Sequence, residues 1–305
     1  MTWGAIVVAA GHGTRFGRPK QLIPLAGRPM VAWSIDAFAS MAEIAELVVV
    51  TESEHIEAIR QLADERVIYA RVTVVRGGDT RQASVWAGLE ALSEDVTAVL
   101  VHDGARPLVR TAAVRDGMRP VRPGVGSLLA APVVDTVKVA APDGKVTRTL
   151  DRSELWAAQT PQFAMLADLR RAHAGAVRRG ETAVTDDAAL LERAGCDVLI
   201  VPATHDNFKI TVPEDLIRAE GVLRERGVQS AEEDVLVVEC FVDPAAVDAV
   251  LLELEARAAR VDEIDRDLPS ATVVRAHVTN AALRGFGARL HALAGANALY
   301  TVTGH

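Results

Sequence analysis

The sequence predicts an α/β fold built on a parallel sheet, followed by a smaller α+β unit, and three observations carry that prediction. Apolar β-branched runs alternate with helical patterns over the first two thirds of the chain, and glycines and cations gather where the first run ends. From residue 235 onward the pattern changes to strand, helix, strand, strand, helix, strand. Continuous apolar strands are buried on both faces, so helices must cover each side and a ligand crevice is expected at the strands' carboxyl ends.

In chain order, AIVVAA (5–10) reads as a strand, PMVAWSIDAFAS (29–40) as a helix and ELVVVT (46–51) as a strand. A charged helix from about Ser53 to Ala63, VTVV (72–75), the helix RQASVWAGLEAL (81–92) and AVLVH (98–102) continue the rhythm. From Ser127 to about Trp156 the runs shorten and alternate around Pro142-Asp143-Gly144, which predicts a hairpin-like arm over about 133–156. VLIVPA (198–203) and NFKIT (207–211) resume the sheet, and a helix opened by Pro213, Glu214 and Asp215 ends near Gly227. Domain boundaries follow at 1–227, a polar linker at 228–234 and a second unit at 235–305. In that unit VLVVECFV, a helix from about Pro244 to Arg260, ARVDEIDRD, ATVVRAHV, a helix from about Asn280 to Ala294 and ALYTVTG spell a ferredoxin-like split βαβ domain.

At 305 residues and 50% apolar the chain can bury a large core, consistent with one large and one small domain. The net charge of −8 argues against a general nucleic-acid binder, since phosphate backbones demand excess Lys and Arg. Cys196 and Cys240 have no CxxC spacing, which fits a reducing compartment and two small core hydrophobes. No basic region precedes an apolar N-terminal run and no run is long enough to span a bilayer, so a soluble cytoplasmic protein without a membrane partner is expected.

The most informative stretch is AAGHGTRFGRPKQ at 9–21. Gly11 and Gly13 permit a tight turn that brings backbone N–H groups close to an anion, while Arg15 and Lys20 supply the charge a polyphosphate requires. The third glycine of a dinucleotide fingerprint would fall at Phe16, and no Gly-Lys-Ser/Thr follows, so neither that motif nor a P-loop is present. The glycines alone fit any βα turn; together with Arg15, Pro19, Lys20 and Gln21 they read as a nucleotide-phosphate loop. Asp103 after a strand could simply cap a turn with Arg106 paired to it, and taken alone these readings weigh at least equally. His102 reads as a structural histidine, and Trp33, Trp86 and Trp156 as core residues.

Six further motifs follow the loop in order: GGDTRQASVWAGL (77–89), VHDGARPLV (101–109), PVVDTVK (132–138), LWAAQTPQF (155–163), TDDAALLE (185–192) and NFKITVPEDL (207–216). With the loop, they resemble the 2-C-methyl-D-erythritol 4-phosphate cytidylyltransferase family across nearly all of residues 1–227. The resemblance implies a Rossmann-like, glycosyltransferase-A-like nucleotidyltransferase that transfers CMP from CTP to 2-C-methyl-D-erythritol 4-phosphate and releases pyrophosphate, with Mg²⁺ as cofactor. It assigns Arg15, Lys20 and Lys209 to catalysis, and Ala9, Ala10, Gly11, Gly13, Gly78, Asp79, Arg81 and Ser84 to the nucleotide. It assigns Asp103, Arg106, Thr136, Arg152 and Thr185 to the acceptor side, with Asp103 also at the metal. A homodimer is implied in which the arm of one subunit completes the other's site.

The chain departs from the family in the compressed spacer Gly17-Arg18-Pro19-Lys20, which also resembles molybdopterin cytidylyltransferases; those relatives lack the TPQF and DTVK elements. An enzyme of the same chemistry acting on another polyol phosphate or on molybdopterin, and a non-catalytic CTP-binding regulatory protein, stay open as alternatives. The second unit resembles the C-terminal ferredoxin-like domain of elongation factor G, including Arg275-Ala276 and Gly285-Phe286-Gly287. From Glu233 onward eleven acids face six arginines, which disfavours RNA contact and makes a stabilising or dimerising appendage the expected role.

Overall fold

The computed structural model describes residues 1–11, 19–64, 70–181, 184–228 and 235–304, apart from 258, 267, 269, 270, 280, 281, 284 and 296. Gly13 and Arg15 of the predicted phosphate loop lie outside the described residues, as does the predicted linker beyond Val228. The chain divides into two compact units, Met1–Pro24 with Arg28–Val222 and Leu25–Gly27 with Leu223–His305.

The first part of the chain forms, in order, β1 (Trp3–Val8), β2 (Pro24–Leu25), β3 (Arg28–Pro29), α1 (Met30–Ala39), β4 (Ile44–Thr51), α2 (Ile56–Asp64) and β5 (Arg71–Arg76). It continues with α3 (Arg81–Ala91), β6 (Ala98–Asp103), α4 (Thr111–Met118), β7 (Val125–Pro132), β8 (Lys138–Ala140), β9 (Val146–Thr149) and β10 (Trp156–Met165). Helices α5 (Leu166–Arg178) and α6 (Asp187–Arg193), β11 (Asp197–Pro202) and α7 (Glu214–Glu225) complete it.

Seven strands form one sheet in the order β11-β7-β10-β6-β1-β4-β5. Side chains alternate across a strand, and both faces are apolar here. Ala5, Val7, Leu47, Val49 and Leu100 pack with Ile35 and Phe38 of α1, whereas Ile6, Val48, Val50, Val99 and Val101 pack with Val85 and Leu89 of α3 and Leu169 of α5. Gly88 lets α3 approach closely, since a Cβ there would stand 2.6 Å from Ile6 Cγ2.

The sheet is mixed rather than all parallel as the apolar runs predict. Strand β10 runs antiparallel to both β6 and β7, while the other pairs within the sheet are parallel. Buried strands of either direction carry the same apolar pattern, so direction is not written in it. A second correction concerns 207–211, which is no strand; the segment is bound at the sheet's end by Ile210 N–H donating to Ala105 O at 2.8 Å. The predicted arm is present: β8 and β9 pair antiparallel with every residue exposed, around a turn closed by Gly144 at φ +83°. Trp156, expected in the core, stands 37% exposed where β10 leaves the arm.

The second unit contains β12 (Val235–Val242), α8 (Val247–Ala256), β13 (Arg260–Asp265), β14 (Thr272–Thr279), α9 (Phe286–Ala294) and β15 (Leu299–Gly304). Its four strands are antiparallel neighbours in the order β13-β14-β12-β15. Val247, Val250, Leu254, Phe286 and Leu290 from the helices meet Val238, Cys240, Val274 and Ala276 in its core. The second helix starts at Phe286 rather than near Asn280, after Gly285 at φ +69°. Both cysteines are buried, as predicted.

Candidate active site

A cleft of about 270 Å³ opens at the carboxyl ends of β1 and β6. It is lined by Val8, Ala10, Gly11, Lys20, Gln21, Gly78, Asp79, Thr80, Arg81, Ser84, Asp103, Ala105 and Lys209. Four separate stretches of sequence thus converge on one crevice, where an open α/β sheet places its ligands.

One wall is shaped by backbone. Thr80 caps α3, its hydroxyl accepting from Ala83 N at 3.0 Å, and Ser84 Oγ donates to Thr80 O at 2.9 Å and accepts from Gly78 N at 3.2 Å. These bonds hold the Gly78-Asp79 turn against the helix. A side chain at Gly77 would overlap Ala10 and come within 2.9 Å of Ser84 Oγ, so only glycine fits there.

The opposite wall is built on charge. Asp103, the last residue of β6, accepts from Lys209 Nζ at 2.8 Å on Oδ2 and from Arg81 Nε at 3.2 Å on Oδ1, with Arg106 Nε 3.9 Å away. Burial alone would raise the Asp103 pKa, but Arg81, Lys209 and Arg106 outweigh it and hold the carboxyl well below the usual range. Burial likewise opposes the charge on Arg81, yet Asp187 and Asp103 outweigh it and keep the guanidinium firmly protonated. Lys20 Nζ donates to Ile210 O at 2.9 Å, tying the end of the predicted phosphate loop to the segment that carries Lys209.

Behind Asp103 lies a neutral polar layer. Thr160 Oγ1 accepts from Asp103 N at 3.0 Å and contacts His102 Nδ1 at 3.1 Å. Asn207 donates to Gln159 Oε1 at 3.0 Å and to Thr160 O at 2.8 Å, while its own carbonyl accepts from Arg106 Nη1 at 2.8 Å. His102 is fully buried beside Phe38, and burial first of all pushes its pKa down to about 4; it is the structural histidine that the sequence predicts.

Of the predicted site residues, Ala10, Gly11, Lys20, Gly78, Asp79, Arg81, Ser84, Asp103 and Lys209 come together in the cleft. Ala9 is buried behind it, its N–H donating to Val50 O at 2.7 Å. Arg106 stands beside Asp103 without lining the cleft. Thr136 and Arg152 are exposed on the arm, where Arg152 donates to Val134 O at 2.8 Å, and Thr185 is exposed just before α6. Gln21, read with the loop but given no role of its own, also lines the cleft; sequence reasoning passed over Thr80 and Ala105, which line it too, and Asp187, which binds Arg81. The signals were adjacency to Lys20, the N-cap spacing before α3, and the second aspartate of TDDAALLE.

A glycine-walled, cation-rich crevice at the carboxyl edge of a Rossmann-like sheet defines a protein that binds a phosphorylated nucleotide. The 2-C-methyl-D-erythritol 4-phosphate cytidylyltransferase (IspD) family model matches residues 4–225, and the chain belongs to that family. It is 43% identical over 220 residues to the enzyme of that name from Prochlorococcus marinus (strain MIT 9313), covering 72% of this chain and 96% of that one. The same enzyme from Parasynechococcus marenigrum (strain WH8102) is 44% identical over 220 residues, with the same 72% and 96% coverage. Among solved structures, 4-diphosphocytidyl-2C-methyl-D-erythritol synthase from Anaerococcus prevotii DSM 20548 superposes with a TM-score of 0.66 at 28% identity, over 73% of this chain and 98% of that one. The 2-C-methyl-D-erythritol 4-phosphate cytidylyltransferase from Thermus thermophilus gives 0.60 at 33% identity, over 73% and 100%.

Proposed function

We propose that this chain transfers the cytidylyl group of CTP to 2-C-methyl-D-erythritol 4-phosphate, giving 4-diphosphocytidyl-2-C-methyl-D-erythritol and pyrophosphate in isoprenoid precursor synthesis. The observation that carries this reading is the ionised Asp103 carboxylate held between Lys209 and Arg81 inside a glycine-walled cleft. An oxygen of the acceptor phosphate attacks the α-phosphorus, the bond to the pyrophosphate oxygen breaks, and negative charge spreads over the transferring group. Two anions must be brought together, so positioning and charge neutralisation supply the catalysis and no covalent nucleophile is needed. Lys20, Arg15 and Lys209 supply positive charge to the phosphates. Ala10, Gly11, Gly13, Gly78, Asp79, Arg81 and Ser84 hold the nucleotide, with Ala9 buried behind them, and Arg106, Thr136, Arg152 and Thr185 hold the acceptor.

Asp103 suits Mg²⁺: it is a hard oxygen donor kept ionised at the cleft wall, and this ion is commonly bound by one carboxylate, waters and substrate phosphates. When bound, the ion neutralises phosphate charge. The arm is read as a dimer contact, which the uniform exposure of β8, β9 and the first residues of β10 supports, since a two-stranded hairpin gains stability by packing against something. The second unit is read as a ferredoxin-like appendage akin to the C-terminal domain of elongation factor G, supported by its β-α-β-β-α-β order and antiparallel β13-β14-β12-β15 sheet. Among the described residues no helix is long and apolar enough to cross a membrane, which is compatible with the cytoplasmic site of action we assign.

The test is pyrophosphate release from CTP with a panel of acceptors, with and without divalent cation. Turnover with 2-C-methyl-D-erythritol 4-phosphate in preference to other polyol phosphates and molybdopterin supports the reading. CTP binding without turnover on any acceptor would replace it with a regulatory role.

A further inference from the structure

Arg81 is shared between two carboxylates. Its Nε donates to Asp103 Oδ1 at 3.2 Å and its Nη1 lies 2.8 Å from Asp187 Oδ2. Asp187 is 2% exposed, and its other oxygen faces the buried His173 Nε2 at 3.3 Å. Burial would raise the Asp187 pKa, but Arg81 and His173 outweigh it and keep the carboxylate charged. A buried ion pair is weak evidence for stability, because desolvation consumes most of the attraction. The position of Asp187 therefore calls for a geometric explanation.

The site is firmly mounted. Asp186 caps α6, accepting from Ala189 N at 3.0 Å, and Gln162 of β10 donates to Asp186 Oδ2 at 2.9 Å while accepting from Ala188 N at 2.8 Å. Asp187, the first residue of α6, thus stands on a turn braced from the central sheet.

We propose that Asp187 is a positioning residue for nucleotidyl transfer, anchoring the Arg81 guanidinium through Nη1 so that Nε alone meets Asp103; this rests on reading the cleft as the CTP site. Without the second carboxylate, Arg81 is free to turn two nitrogens on Asp103, competing with Lys209 for Oδ2 and fixing the carboxylate in a new orientation. The planar guanidinium fork presents Nε and Nη1 to the two carboxylates from separate, fixed directions, a spacing that the compact ammonium of lysine does not reproduce.

The experiment is a double-mutant cycle on the full chain, with Asp187→Asn, Arg81→Gln and their combination. It reads kcat/KM for CTP, KM for the acceptor, CTP affinity by calorimetry, and melting temperature. Asp187→Asn should lower kcat/KM for CTP by roughly tenfold, with the acceptor KM unchanged, and the double variant should be no worse than Arg81→Gln, because coupled residues fail to add. Losses that multiply would mean that Asp187 acts independently of Arg81 and would overturn the proposal. Arg81→Lys keeps the charge at a partly buried position and decides the matter if Asp187→Asn does not fold: wild-type CTP use by that variant contradicts the need for a fork. If the unaltered chain binds CTP without turnover, the proposed reaction fails, while the calorimetric cycle still decides the role of Asp187.

Discussion

Lys209 Nζ lies 2.8 Å from Asp103 Oδ2, although 106 positions separate the two residues in the chain. The contact closes the cleft from the segment after β11 and sets one cation against each oxygen of the ionised Asp103 carboxylate, since Arg81 Nε meets Oδ1. A preorganised set of opposed charges of this kind needs little rearrangement when charge builds up on a transferring phosphorus.

Lys20→Ala and Arg15→Ala should each lower turnover about a hundredfold, near 3 kcal/mol, while leaving the fold intact. Each removes a cation needed most as charge accumulates. Steady-state rates together with circular dichroism decide it, and near-normal turnover in both variants would remove the phosphate role from the loop.

On the proposed reading of Arg152 as an acceptor-phosphate contact, Arg152→Ala should raise the KM for the acceptor far more than that for CTP, because such a charge-assisted contact is not shared by the nucleotide. Mixing Arg152→Ala chains with Lys20→Ala chains should restore activity if the arm crosses a dimer. Verified mixed dimers that stay inactive would show that each chain completes its own site.

Burial pushes the Cys240 thiol from its ordinary 9.0 up to about 12. The folded chain therefore holds a proton that the unfolded chain releases first, so this contribution to stability is complete below pH 9 and fades as pH rises toward 12. Melting temperature should fall more steeply above pH 9 in the wild type than in Cys240→Val. Parallel curves for the two proteins would show that the thiol takes no part.

Truncation after Arg226 should leave a folded, active cytidylyltransferase. The described cleft residues all precede that point, and the Prochlorococcus marinus relative is covered over 96% of its length by 72% of this chain. Pyrophosphate release by the shortened chain tests this. A shortened protein with a native circular dichroism spectrum and no turnover would place part of the catalytic apparatus in the second unit.

Much of the site was legible because its residues follow strands directly: Gly11 follows β1, Gly78 follows β5 and Asp103 ends β6, and the apolar runs mark those ends. The pairing of Arg81 with Asp187 was not legible, nor that of Gln162 with Asp186, because each joins side chains on different elements and leaves no local periodicity. Strand β10 was not read as a strand at all, and no local pattern gives its direction. Its neighbours bury it on both faces, and burial has no polarity along the strand. NFKIT alternates like a strand, yet its buried residues are Asn207 and Ile210, three apart, and they bond to Gln159, Thr160 and Ala105 rather than into a ladder.

Strands β7 and β10 pair where the arm begins and ends, Pro132 opposite Trp156, with Val133 N–H donating to Leu155 O at 3.0 Å. The chain thus departs from the sheet and returns to it at adjoining points, so the span between them is a self-contained insertion. Closing a longer or shorter excursion between fixed ends costs little, on the order of 0.6 kcal/mol for each doubling of its length. Changes in the length of this segment are therefore cheap, and they leave the strand ends that frame the cleft, β1 and β6, where they are.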